Sequence, residues 1–390
     1  MSRTLACFSH LRWNFVYQRP QHLMTRAAAH ESIAYFEEPV FSEIEAPRLD
    51  HRIEHCNNSN DITVLVPQLP HGLDRELVAG AQRQLVDEWL KDKTAQDLTL
   101  WYYTPMARAF TDHIAASLIV YDCMDELAAF AFPPAGLREH ERELLSIADV
   151  VFTGGPSLFR SKCGLNPNVI EAPSSIDRDH FAQARSLQTP DPLDQADLVR
   201  PRLGFFGVID ERMDLELVDA VAAMRPQWSL VFLGPVVKID PAKLPRRNNI
   251  HWLGQKPYGG LPQYLANWDV AIMPFAINEA TRFISPTKTP EYLSGGVPVV
   301  STPLPDVQQV YGRSGFVEIA ATPDAFVSKA EAVMRRERAP WLAGVDAHLA
   351  TLSWDRTFGI MRDAMQSARD SRNSNAAVMA RTASEQNIHV

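Results

Sequence analysis

Short apolar, β-branched and aromatic runs alternate with longer amphipathic stretches along most of this chain, and the alternation occurs twice. In the first half the strand-like runs are Thr4–Phe8, Ile33–Phe36, Ile62–Val66, Leu98–Tyr103, Leu118–Asp122, Val150–Thr153 and Val169–Ala172. Between them the periodicity predicts helices at Gln21–Ala29, Asp74–Lys91, Arg138–Ala148 and Ser157–Lys162. Continuous apolar runs suit strands covered on both faces of a parallel sheet. Their alternation with helices builds right-handed βαβ units. A polar, proline-bearing stretch, Ala184–Arg202, interrupts the rhythm and reads as an interdomain linker. Beyond it come strands Leu203–Phe206, Ser229–Leu233, Ile250–Leu253, Val270–Pro274 and Val297–Ser301, with helices Leu215–Met224, Leu261–Asn267 and one from Pro286. The expected fold class is therefore α/β, with two parallel-sheet domains at 1–183 and 203–352 facing across a cleft. A C-terminal helix is expected at 353–366, its return to the first domain left open, and a disordered polar tail at 367–390.

A chain of 390 residues exceeds what one hydrophobic core supports and is comfortable for two. The formal charge of -9 gives a nucleic-acid partner no support from composition. Cys7, Cys56, Cys123 and Cys163 are widely spread, so reduced thiols in the cytoplasm are expected rather than a disulfide framework or zinc site. The opening MSRTLACFSHLRWNF does not read as a signal peptide. No run approaches the roughly 18 apolar residues of a spanning helix.

The richest segment is NEATRFISPTKTPEYLSGGVPVVS, residues 278–301. Ser285 before Pro286 is a helix-start signal, placing Thr287 and Lys288 in the first turn. Unpaired amides and partial positive charge at such an end suit a diphosphate, and Lys288 adds a full charge. Glu291 lies on the same face one turn further in, spaced to accept from the vicinal hydroxyls of a ribose. On spacing alone the commoner reading is a capped helix with a surface ion pair between Lys288 and Glu291.

Several fragments change that balance. FSHLRWNFVYQRPQHLMTRAA, LIVYDCMDELAAF, ADVVFTGGPSLFRSK, NVIEAPSSIDRDHF, RLGFFGVIDERMDLELVDAV, NIHWLGQKPYGGLPQYLANWDVAIMPF and SPTKTPEYLSGGVPVVSTPLPDV stand in this order along the chain. In that order they resemble the GT-B glycosyltransferases, in particular bacterial family 4 and teichuronic-acid-type enzymes of cell-surface polysaccharide synthesis. The likeness to xanthan-type glucuronosyltransferases is more distant. The resemblance implies two Rossmann-like domains and transfer of a sugar from a nucleotide-sugar. It places the diphosphate and ribose contacts on Lys288 and Glu291, with Thr287 beside them. The family 4 pattern has two glutamates separated by seven residues, whereas eleven separate Glu279 from Glu291, so Glu279 does not inherit the first one's role.

The same resemblance makes Leu203–Leu217 the first donor-domain unit. There Gly204 and Gly207 allow close backbone approach and Arg212 offers a second diphosphate charge; a plain βα turn with a solvated arginine is the alternative. In the loop 254–258, Tyr258 meets the nucleobase or packs a helix start. Phe275 ends a cleft-facing strand or is simply core. Asp125, after strand Leu118–Asp122, corresponds to a general base that removes the acceptor proton, the alternative being a helix cap; Asp122 reads as structural. His10, Arg12, Trp13 and Arg19 follow the first strand and suit an acceptor or donor phosphate, or packing of the domain surface. The apolar loop Ala128–Pro134 is a candidate contact for a lipid-linked acceptor, or buries against a neighbour.

Rival readings are a nucleotide-sugar epimerase on the same architecture and a non-catalytic sugar-nucleotide-binding subunit. A dinucleotide dehydrogenase would need glycines in the first loop, and SHLRWNF has none. UDP-sugars are the favoured donor and GDP-mannose the main alternative; family 4 likeness favours retention, the Asp125 correspondence inversion. No DxD-type motif occupies a matching place, so no cofactor and no metal are expected. The implied partners are the donor and a glycan or lipid-linked acceptor, with peripheral contact at the cytoplasmic face of the inner membrane.

Overall fold

The computed structural model describes residues 3–56, 60–186 and 190–386. Two sheets organise them. The first contains β1 (Thr4–Phe8), β2 (Ser32–Phe36), β3 (Val40–Ser42), β4 (Arg48–Glu54), β5 (Ile62–Pro70), β6 (Leu98–Tyr102), β7 (Leu118–Cys123), β8 (Val150–Thr153) and β9 (Val169–Glu171). Its order is β3-β5-β2-β1-β6-β7-β8-β9, and β4 pairs antiparallel on β5. β1, β6 and β8 are buried at every position, which is why they read as unbroken apolar runs. The second sheet runs β12 (Ile250–Trp252), β11 (Ser229–Leu233), β10 (Arg202–Phe206), β13 (Val270–Met273), β14 (Val299–Ser301) and β15 (Val317–Ile319), with all its pairings parallel.

The helices of the first half are α1 (Arg19–Ala27), α2 (Arg75–Leu90), α3 (Arg108–Thr111), α4 (Leu137–Ile147), α5 (Pro156–Lys162) and α6 (Arg178–Ala182). Asp74 caps α2 by accepting from the Leu77 amide at 2.9 Å. The polar stretch carries α7 (Leu193–Ala196); residues 187–189 of the expected linker lie outside the described residues. After it come α8 (Leu215–Met224), α9 (Leu261–Ala266), α10 (Lys288–Ser294), α11 (Pro305–Val307), α12 (Pro323–Arg335), α13 (Arg338–Leu349) and α14 (Trp354–Gln386).

Two boundaries differ from expectation. The chain leaves the first domain before the polar stretch begins, because Ile176 and Phe181 already lie in the second domain's core. Phe181 stacks on Phe206 at 5.8 Å, and Arg185 holds the Leu293 and Ser294 carbonyls and Asp346. Burial of those apolar side chains outweighs the polar composition around them. The expected tail from 367 is helical as far as Gln386. Its start is anchored, since Arg369 donates to Glu31 and Thr99, both at 2.8 Å, and Arg372 pairs with Asp149 at 2.6 Å. Trp354, Phe358, Met361, Met365 and Ala368 complete the core on one face of the first sheet. No helix among the described residues is long and apolar enough to cross a membrane.

Candidate active site

The two sheets present their carboxyl edges to a shared cleft holding a cavity of about 1110 Å³. Ligands of open parallel sheets bind at this edge. Gly207, Thr287, Lys288 and Glu291 line it from the second domain, facing Trp13–Gln18 of the first.

The core of the donor half is built by β10 and α10. Tyr292, fully buried, accepts from the Phe206 amide at 2.9 Å and donates to the Phe206 carbonyl at 3.3 Å. This pins α10 to the end of β10 and lays Lys288 across Gly207. A β-carbon on Gly207 would lie 2.0 Å from Lys288 Cε, and its φ of +143° also favours glycine. Lys288 Nζ stands 5.9 Å from the centre of the Phe205 ring. Desolvation lowers the Lys288 pKa, opposed by Glu291, and raises that of Glu291 to about 7, opposed by Lys288. The helix begins at Lys288, with Thr287 in the cap position and no side-chain cap. Ser285 does not cap it; the turn opens through Thr289 N–H to Pro286 O at 3.3 Å, and Ser285 packs against Gly155 of the first domain.

Arg212 is clamped by Asp210, with contacts of 2.6–3.1 Å. Its guanidinium also lies 5.2 Å from the Phe130 ring, and Lys238 Nζ lies 5.2 Å from the same ring. The first part of the loop Ala128–Pro134 thus packs against the second domain through Phe130, and the Ala131 amide donates to Glu211 at 3.3 Å. Phe132, 92% exposed, and the two prolines after it are turned out.

Asp125 follows β7 and faces the second domain. Desolvation raises its pKa, while Arg212 and Lys288 lower it. The loop behind it is anchored by Lys162, which reaches Glu126 at 2.8 Å and Glu141 at 2.9 Å.

Other expected residues go elsewhere. Arg19 is 1% exposed and bonds Asp122 with contacts of 2.7–3.0 Å, plus the Ala172 carbonyl at 2.8 Å, so its fork is consumed inside the first domain. Arg12 pairs with Glu37 and donates to the Glu38 and Pro39 carbonyls. Trp13 borders the cavity but packs edge-on against Tyr35. His10 is half-buried in the first loop and does not line the cavity; burial and Lys238 hold its pKa down to about 4, opposed by a hydrogen bond with the Tyr103 backbone. Tyr258 lines the cavity, stacked on His180 at 4.4 Å and beside Tyr17 at 4.9 Å. Phe275, 5% exposed, packs edge-on to Phe205 in the core and is not brought to the cleft. Gly204 makes room for Trp268, 1.9 Å from a built β-carbon, and approaches no ligand. Glu279 is a surface group, paired with Arg282 at 3.5 Å.

Asp210, Lys238, Tyr17, His180 and Lys162 are not singled out as site residues by the sequence. Asp210, two residues before Arg212, carried a local signal; the others meet the site only through tertiary contact.

Comparison with solved structures fixes the architecture. Over 96% of this chain and all of the other, it superposes on sucrose-phosphate synthase of Thermosynechococcus elongatus with a TM-score of 0.66 at 14% identity. The E. coli trehalose-6-phosphate structure bound with UDP-2-fluoro glucose matches over 93% of this chain and 99% of its own, with a TM-score of 0.66 at 12% identity. The fold is GT-B. Residues 200–336 match the family Glycosyl transferases group 1. A Bacillus subtilis (strain 168) protein assigned to teichuronic acid biosynthesis as the glycosyltransferase TuaH is 25% identical over 232 residues, 54% of this chain. That match spans 57% of the relative's length.

Proposed function

We propose that this GT-B protein is a glycosyltransferase taking its sugar from a UDP-sugar and passing it to a glycan acceptor of cell-surface polysaccharide synthesis. The observation that carries this reading is Lys288 laid across Gly207, with Glu291 one turn further along the same cavity wall. Lys288 takes the diphosphate and Glu291 the ribose hydroxyls. Arg212, held by Asp210, adds charge beside the leaving group. With two cations in place, the reading needs no metal.

Asp125 takes the acceptor proton as the acceptor oxygen bonds to the sugar's anomeric carbon. The bond from that carbon to the diphosphate breaks, and the electron pair leaves on the nucleotide toward Lys288 and Arg212. Attack opposite the leaving group inverts the anomeric configuration. The likeness of residues 200–336 to group 1 glycosyl transferases and the match to TuaH support the class. The UDP-2-fluoro glucose held by the E. coli structure supports the donor. A lipid-linked acceptor and peripheral membrane contact belong to the same proposal, supported by exposed Phe132.

Thermal shift against UDP, GDP, ADP, dTDP, CMP and NAD tests the donor site. Selective stabilisation by UDP is expected; stabilisation by NAD, or by none of the panel, overturns it. Product analysis with the matching UDP-sugar then separates transfer from epimerisation.

A further inference from the structure

A nucleobase is bonded to the ribose carbon next to the one that carries the 2′-hydroxyl. With the ribose on Glu291, the base must lie against the cavity wall beside that carboxylate. Tyr258 and Tyr17 line the same cavity as Glu291, one from each domain. Burial, and next the Glu291 carboxylate, raise the Tyr258 pKa, as expected of neighbours. The Tyr258 and Tyr17 ring centres are 4.9 Å apart, with their planes inclined by 34°.

Tyr17 stands on a fixed support. It meets His22 of α1 edge-on at 4.7 Å, and His22 stacks on Trp354 of α14 at 4.5 Å. Both supports are buried, whereas Tyr17 itself keeps 39% of its surface exposed. A large aromatic held firmly from behind and open in front is the form of a stacking platform. The loop that carries it is also tied to the donor domain beside Tyr258. Gln255 Nε2 donates to the Phe15 carbonyl at 2.5 Å, and both residues line the cavity. Loops Trp13–Gln18 and 254–258 thus meet at two points around the space next to Glu291. The Tyr258 hydroxyl is buried and has no hydrogen-bond partner among the described residues. Such a group calls for one, and the carbonyls and ring N–H of a pyrimidine base are of the kind that supply it.

Resting on the UDP-sugar reading, we propose that Tyr17 is a donor-binding residue that stacks on the nucleobase from the first domain. Lys288 and Glu291 hold the diphosphate and the ribose from the second domain alone. The base is then the part of the donor gripped by both domains, and its contact with Tyr17 exists only while the cleft is closed.

Calorimetry with UMP, UDP, ribose 5-phosphate and pyrophosphate decides it, on the native protein and on Tyr17→Ala, Tyr17→Leu and Tyr17→Phe. Tyr17→Ala and Tyr17→Leu should weaken UMP and UDP by the same factor, about fivefold or more. Ribose 5-phosphate and pyrophosphate, which lack the base, should bind these variants as they bind the native protein. Tyr17→Phe keeps the ring and should keep native affinity for all four. Native affinity for UMP and UDP in Tyr17→Ala overturns the proposal, and so does an equal loss of the two baseless ligands. Failure of the native protein to bind UDP sinks the donor reading, and this assignment with it.

Discussion

Lys288 occupies the space that a β-carbon on Gly207 would need, its Cε 2.0 Å from that position. Gly207→Ala therefore displaces the ammonium while the rest of α10 stays pinned through Tyr292. Loss of one charge-assisted contact is worth about 1.5–3 kcal/mol. Calorimetry should show UDP bound at least tenfold more weakly by Gly207→Ala and by Lys288→Ala alike. Native affinity in either variant removes the helix-end site.

Glu291 gives the donor site a pH signature. Only the ionised carboxylate accepts from two ribose hydroxyls, and burial raises its pKa to about 7. UDP affinity should rise as pH increases through about 7 and level off above it. For 2′-deoxyuridine diphosphate the rise should be smaller, because one hydroxyl is missing. Titrations at pH 6 and 8 check both ligands.

Asp125→Asn should keep UDP binding and lower kcat by roughly 100-fold or more. Lys162 acts on the same loop at one remove, through Glu126. Lys162→Met should lower kcat about 10–100-fold with the donor KM unchanged, and Lys162→Arg should recover most of the loss. A parallel change in kcat and donor KM would reduce Lys162 to a purely structural role.

Asp306 ties the domains together. Its carboxylate, 1% exposed, accepts from the Ser157 amide at 3.1 Å and the Ser157 hydroxyl at 3.0 Å, at the start of α5 in the opposite domain. Asp306→Ala removes that cap, a loss of about 1 kcal/mol, and should enlarge the radius of gyration seen by small-angle scattering. Burial raises the Asp306 pKa to about 6. Between about 4 and 6 the folded chain holds a proton that the unfolded chain has released, so this group's contribution falls as pH rises. Asp306→Asn should lack that slope in denaturant titrations across the interval.

The architecture was largely legible because β1, β6, β8, β10 and β11 are buried on both faces and read as apolar runs. The spacing of Lys288 and Glu291 was equally local, one helical turn apart. Arg19 was misplaced because its partner Asp122 is distant in sequence, and an isolated arginine after a strand looks the same whether buried or open to a ligand. Phe275 failed for a related reason: a strand-end aromatic carries no mark of which side of the sheet it enters. Lys238 meets Phe130 across the two domains, and His180 stacks on Tyr258 from a distant stretch of chain, neither of which a local pattern encodes. The helical stretch after Ser367 was hidden by its polar composition, although Arg369 and Arg372 find carboxylates in the first domain.

The part played by α14 has a bearing on biogenesis. The face of the first sheet that it covers is synthesised before the second domain, yet Trp354, Phe358, Met361 and Met365 leave the ribosome only after that domain. Until then the amino-terminal domain carries an open apolar surface and cannot finish as an autonomous unit. The two halves are separate in architecture and inseparable in maturation: the second must be made before the first is complete.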